Sequence, residues 1–156
     1  MYKILVSGLA YDNGKSGISD YINNTINQLS KDNQIELLLL EKDISSFPIK
    51  NKNIKIISVP NHLKKPIINM LWHFFILPFT IKKNKYDFIF LPAGNRRLMF
   101  FYPMYTITTV HDLSQFHIKN KYSFLRMIFI KTLIPAFTTR GKWFCLGVNG
   151  QEYFSL

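Results

Sequence analysis

The sequence is poor in cysteine and in acidic side chains, and it lacks the best-known nucleotide-site motifs. Cys145 is the sole cysteine of 156 residues. An internal disulfide is therefore excluded, as are metal sites built on paired cysteines, and a reducing cytoplasm is the expected compartment. Asp and Glu number 9 against 20 Lys and Arg, a formal net charge of +11. No apolar run reaches the roughly 20 residues that span a bilayer. The nearest, Ile67–Ile81, is interrupted by His73 and Pro78 and predicts a buried or interfacial helix. Met1–Leu9 is too short for a secretory signal and runs into a glycine-rich turn. Gly14-Lys15-Ser16 has Leu9 where a P-loop needs its first glycine, and the dinucleotide fingerprint is missing. There is no Gly-x-Ser-x-Gly elbow, no specific pair of carboxylates, no internal repeat and no low-complexity tract. His62, His73 and His117 make no metal-ligand spacing with His111.

The apolar fraction is 47%, with 14 Phe, and the length suits one domain. Such a chain buries about two thirds of its unfolded surface, enough for a core. Tyr2–Ser7, Ile35–Leu40, Ile54–Val59, Tyr86–Leu91 and Tyr105–Val110 are apolar or β-branched runs that predict strands. Ile18, Tyr21, Ile22, Thr25, Ile26 and Leu29 recur at spacings of three and four and predict an amphipathic helix. Helices are also predicted over Lys65–Ile81, with Pro66 in its first turn, and over Tyr122–Ala136. This alternation predicts an α/β fold with a Rossmann-like, doubly wound parallel sheet.

In such a sheet ligands bind beyond the carboxyl ends of the strands, where three loops stand out. Asp12–Ile18 precedes a helix and contains Gly14, Ser16 and Gly17, suited to close approach by a phosphate or a sugar hydroxyl. Pro92–Arg97 follows a strand and carries Asn95, Arg96 and Arg97, donors for an anionic or polyhydroxylated ligand. His111 ends the next strand, and Asp112 beside it could orient it or cap the following segment. Taken alone, the first loop reads as well as a plain helix entry, the second reads rather as a solvated basic turn, and His111 rather as a structural histidine.

Taken in order, these motifs resemble the N-terminal domain of family 4 glycosyltransferases of the GT-B architecture. The likeness rests on Gly17-Ile18-Ser19-Asp20-Tyr21, on Trp72 ahead of Tyr86-Asp87, on Val110-His111-Asp112-Leu113 and on the aliphatic run Arg126–Ala136. It covers Met1 to Arg140. It implies a retaining hexosyltransferase in which this domain binds a glycan or lipid-linked acceptor, while a second domain holds a nucleotide-sugar as co-substrate, without an essential metal. His111 would be catalytic, steadying charge at the anomeric carbon. Gly14 to Gly17 would lie against the donor diphosphate or the transferred sugar. Apart from the resemblance, Arg96 and Arg97 are expected to contact a phosphate-bearing or polyhydroxylated acceptor.

The family pattern breaks after Arg140. On this reading residues 1–140 form the acceptor-side domain and 141–156 an atypical tail from truncation or frameshift. The donor domain is absent, the last strand of the sheet is missing or malformed, and the isolated half has little activity. The expected role is in cell-envelope polysaccharide assembly, peripheral on the inner face of the membrane. The alternative is a non-catalytic Rossmann-like module for an anionic sugar, a lipid head group or a partner subunit. Nucleic acid is not expected as a partner, because neither a recognition helix nor an aromatic single-strand platform accompanies the charge.

Overall fold

A computed structural model describes residues 1–81, 85–94 and 97–111, together with the backbone of two strands, Trp143–Gly147 and Glu152–Phe154. The element order is β1 (Lys3–Ser7), α1 (Gly17–Leu29), β2 (Gln34–Leu40), β3 (Ile54–Val59), α2 (Pro66–Leu71), a π turn (Trp72–Ile76), α3 (Leu77–Thr80), β4 (Phe88–Leu91), β5 (Thr106–Val110), β6 (Trp143–Gly147) and β7 (Glu152–Phe154). Short 3-10 turns follow β2 at Glu41–Asp43 and β3 at Asn61–Lys64.

The sheet order is β3-β2-β1-β4-β5-β6-β7. Every neighbouring pair from β3 to β6 is parallel, and only β7 runs antiparallel. Chain order reverses between β1 and β4, the switch point of a Rossmann-like sheet. The expectation of a missing last strand is corrected here. Thr106 to Val110 pair in register with Trp143 to Gly147, a short apolar run well suited to a strand. The helix expected over Tyr122–Ala136 lies outside the described residues.

Both sheet faces are covered. Ile4, Val6, Leu37, Leu39 and Phe90 pack with Ile22 and Ile26 of α1 on one side. Leu5, Leu38, Leu40, Ile89 and Leu91 pack with Leu63, Leu77 and Met99 on the other. That double burial explains why β2 reads as an unbroken apolar run rather than an alternation. Glu36 is the exception within β2, being 5% exposed. Its carboxylate accepts hydrogen bonds from Lys85 and Tyr86 and pairs with Lys3 at 3.3 Å.

The helix predicted over 65–81 forms as one rod of three segments. Pro78 has no N–H to give the carbonyl of Phe74, and the rod widens into a π turn just before it. The Phe74 carbonyl accepts instead from the Phe100 N–H at 3.0 Å, which docks the chain after β4 onto the rod. Gly94 is needed where β4 meets β5, since a Cβ there would lie 1.8 Å from Thr108 Oγ1. Among the described residues no helix is long and apolar enough to cross a membrane.

Candidate binding rim at the carboxyl ends of the strands

The loop after β1 is shaped by its own polar side chains. Asn13 and Gly14 both take positive φ, 64° and 73°, which turns the chain back toward α1. Ser16 caps α1, its hydroxyl accepting from Ser19 N at 3.3 Å. Asp12 accepts from Lys15 N at 3.0 Å and from the Ser19 hydroxyl. These bonds, Ser19 foremost, outweigh burial and hold the Asp12 carboxyl below its ordinary range. Ser46 donates to Asn13 Oδ1 at 2.6 Å, and Tyr11 donates to the Ser46 carbonyl at 3.0 Å, fixing the loop to the segment after β2. A Cβ on Gly17 would meet nothing within 4 Å. No neighbour in the fold demands glycine there.

The predicted loops meet at this edge. Arg97 donates to the Ala93 carbonyl at 3.1 Å and to the Leu9 carbonyl at 3.2 Å. It braces the loops after β1 and β4, a role its sequence context did not announce. His111 is half-buried, and its Nε2 donates to the Pro92 carbonyl at 2.5 Å. Its ring stands edge-on to Tyr21, with centroids 4.8 Å apart, and the Tyr21 hydroxyl bonds Thr109 Oγ1 at 2.8 Å. Gly14, Ser16, Gly17, Arg97 and His111 thus belong to one connected rim. Asn95, Arg96 and Asp112 lie outside the described residues.

Sequence reading missed a second feature of this rim. Lys42 and Lys64, on the 3-10 turns after β2 and β3, bring their ammonium groups side by side. The Lys42 N–H donates to Asn61 Oδ1 at 3.0 Å, and Asn61 donates to Glu41, so the two turns are tied together. Direct contact with Lys42, then the Lys42 charge and burial, lower the pKa of Lys64 against an opposing pull from Asp43, with a smaller push from Lys15. Asp43 lies 3.5 Å from Lys42. Lys42 and Lys64 therefore both face the buried Asp43 carboxylate, with Lys15 close enough to act on Lys64. Lys42 and Lys64 are 22 positions apart, and only the pairing of β2 with β3 brings them together.

Ser7 and His73 have the look of a nucleophile and its base, with Oγ and Nε2 at 2.8 Å. They are 1% and 0% exposed, so no substrate reaches them. His73 Nδ1 donates to the Asn69 carbonyl at 2.8 Å, which leaves Nε2 to accept from Ser7. Burial, then the charge of Arg97, lowers the His73 pKa to about 3 despite the Asn69 bond. The pair fastens the rod to β1 as a neutral link. Among the described residues no group of three or more His, Cys, Asp or Glu could hold a metal. Two surface depressions, of about 500 Å³ around Asn27 and Lys31 and about 360 Å³ around Trp72 and Tyr86, lie away from the rim.

No protein-family model matches the chain, and no curated protein does. Two similar solved structures are of a short-chain dehydrogenase/reductase from Veillonella parvula DSM 2008, one ethylated and one in complex with NADP. Each is 10% identical and covers 94% of this chain, 69% and 68% of its own chain respectively, with TM-scores of 0.47 and 0.46. At that identity the likeness is one of fold. These findings overturn the expected membership of the GT-B glycosyltransferases, and with it the hexosyltransferase activity and the role in polysaccharide assembly. The motifs behind that expectation have ordinary duties in the fold. Ser16 and Gly17 start α1, Tyr21 holds Thr109, and His111 closes the loop after β4. Any Rossmann-like sheet can use residues of these types in these places, so they do not single out sugar transfer.

Proposed function

We propose that this chain is a non-catalytic Rossmann-like binding module whose rim takes a phosphorylated, hydroxyl-bearing small molecule. One observation carries the reading: Lys15, Lys42 and Lys64 gather at the sheet edge onto which the N terminus of α1 opens. Ammonium groups crowded against one another favour an arriving anion. Helix N–H groups not satisfied by Ser16 favour the same charge. Tyr21 and His111, both partly exposed, present a hydroxyl and an imidazole ring a short way along the rim for the uncharged part of the ligand. Gly17 leaves room for it beside the backbone. Asn95, Arg96 and Asp112 belong to the same proposed site by their position in the chain. The lysines supply the counter-charge, so binding needs no metal. The proposed compartment is the cytoplasm, in keeping with the single cysteine.

Titration with glucose 1-phosphate and with UDP, followed by calorimetry, tests this. Saturable binding is expected that weakens with added salt, survives EDTA, and falls about tenfold or more in Lys42→Ala/Lys64→Ala. Lack of binding to either probe, or affinity indifferent to both lysines, would sink it.

A further inference from the structure

The rod from Pro66 to Thr80 is built inside out. Its two residues with large polar groups, Asn69 and His73, are buried at 5% and 0% exposure, four positions apart on the side facing the sheet. Asn69 donates to the Leu63 carbonyl, and His73 links Asn69 to Ser7. The opposite side holds Ile67, Leu71, Phe75 and Phe79, exposed by 69, 46, 49 and 70%. These recur every four residues and form one stripe along the helix. Ile68 and Ile76 widen it. Phe100 stacks beside Phe75, and Phe101 meets Phe79 edge-on, so the chain after β4 extends the same surface. From Pro66 to Phe79 every exposed side chain is apolar. A surface helix normally turns its apolar stripe inward. A contiguous apolar surface of this kind marks a contact with something other than water.

We propose that this face docks on the surface of an anionic lipid bilayer. The charge beside the stripe selects that occupant. Lys64 and Lys65 are exposed at the start of the rod, with Lys42 against Lys64. Lys85, beyond its other end, is committed to Glu36. The basic end and the apolar stripe together match an interfacial helix, which sinks its apolar side into the acyl boundary while lysines reach the head groups. Fifteen residues are too few to span, so the rod lies in the plane of the surface. A second copy of the chain would bring another +11 against the first, which opposes self-association through this face. The basic end shares Lys42 and Lys64 with the proposed ligand rim, but the apolar stripe from Ile67 to Phe79 belongs to the docking face alone, so variants of the stripe test this inference without touching the ligand site.

The test is flotation of the full chain with vesicles of phosphatidylcholine alone and of phosphatidylcholine mixed with phosphatidylglycerol. Binding to the anionic vesicles is expected to exceed binding to the neutral ones by about tenfold or more. It should fall about tenfold in Phe75→Gln/Phe79→Gln, with the far-ultraviolet circular dichroism of the folded chain retained, because about half or more of each ring already faces solvent. Lys65→Gln and raised salt should each narrow the gap between the two vesicle types. Equal binding to both vesicles overturns the proposal, as does anionic binding that the double variant leaves intact. Concentration-dependent dimers abolished by the double variant, without vesicle binding, would assign the face to a second copy instead. Titrating UDP into the double variant separates this outcome from failure of the rim.

Discussion

Acid should loosen this protein well before its carboxylates protonate, and His73 is the reason. The imidazole has an ordinary pKa of 6.5 and is lowered to about 3 in the fold, burial being the largest cause and the Arg97 charge the next. Below pH 6.5 the unfolded chain takes up a proton that the folded chain refuses. Stability present at pH 7 is therefore lost as pH falls from 6.5 toward 3. Each unit of that window is worth about 1.4 kcal/mol. Between pH 7 and pH 5 the loss is about 2 kcal/mol, a sizeable share of the roughly 5–15 kcal/mol that holds a domain. Glu36 contributes in the same direction but only below its ordinary 4.5, so the range from 5 to 7 isolates the histidine. Urea unfolding at pH 7 and pH 5, followed by far-ultraviolet circular dichroism, measures the difference. His73→Gln should be less stable at pH 7 by about 1–3 kcal/mol, because Ser7 loses its buried partner. Its stability should then change less between the two pH values, by about the 2 kcal/mol that His73 supplies. An equal decline in wild type and variant would refute the assignment.

Three further outcomes follow from the geometry. Tyr86→Phe removes a hydrogen bond to the buried Glu36 carboxylate, which is held at about 2 because bonds from Lys85, Tyr86 and Lys3 together outweigh the opposing effect of burial; thermal melts should report a loss of about 1–3 kcal/mol at pH 7, and the acid limb below pH 4.5 should move to higher pH. Gly94→Ala forces a methyl group onto Thr108 Oγ1 and should cost about 1–3 kcal/mol, with part recovered in Gly94→Ala/Thr108→Ala; urea midpoints check both. Gly17→Ala meets no neighbour, so it should leave stability unchanged or raise it by up to about 1 kcal/mol, while weakening sugar-phosphate binding at the rim by calorimetry; a variant that binds as tightly as wild type would show that no ligand approaches that backbone.

The strands and α1 were legible because their signals are local. β2 and β3 are apolar or β-branched runs, and the spacing of Ile18, Ile22 and Ile26 suffices to place a helix and its buried side. Boundaries moved where side chains took over the pairing. Asp87 accepts from the Lys3 N–H at 2.7 Å, and β4 starts two residues later than expected, at Phe88 instead of Tyr86. The rim was legible as far as a strand end followed by glycine or histidine announces a loop. The Lys42–Lys64 pairing was not, since it depends on which strands lie side by side. The same limit explains the misassigned family. Gly17, Tyr21 and His111 are placed by demands that every parallel sheet makes of its loops, so their order in the chain carried less information about chemistry than about topology.

The rod shows where reading by pattern reverses. From Ile67 to Ile81 nearly every residue is apolar, so periodicity cannot say which side is buried. The usual rule would put Asn69 and His73 outward. The structure does the opposite because a buried hydroxyl, Ser7, ends β1 and needs a partner. His73 reaches it only from the inner side of the rod, and Asn69, one turn earlier, lies on that same side. With the polar positions committed to the sheet, the outer side is left to Ile67, Leu71, Phe75 and Phe79. Satisfying one buried serine thus fixes the rod's rotation about its axis, and that rotation creates the apolar face. Replacing His73 and Ser7 together by Leu and Ala would remove the constraint. If the Phe79 side chain stayed as exposed to solvent quenchers in that double variant, packing by Leu77 and Leu63 alone would set the rotation, and the account given for the exposed face would fail.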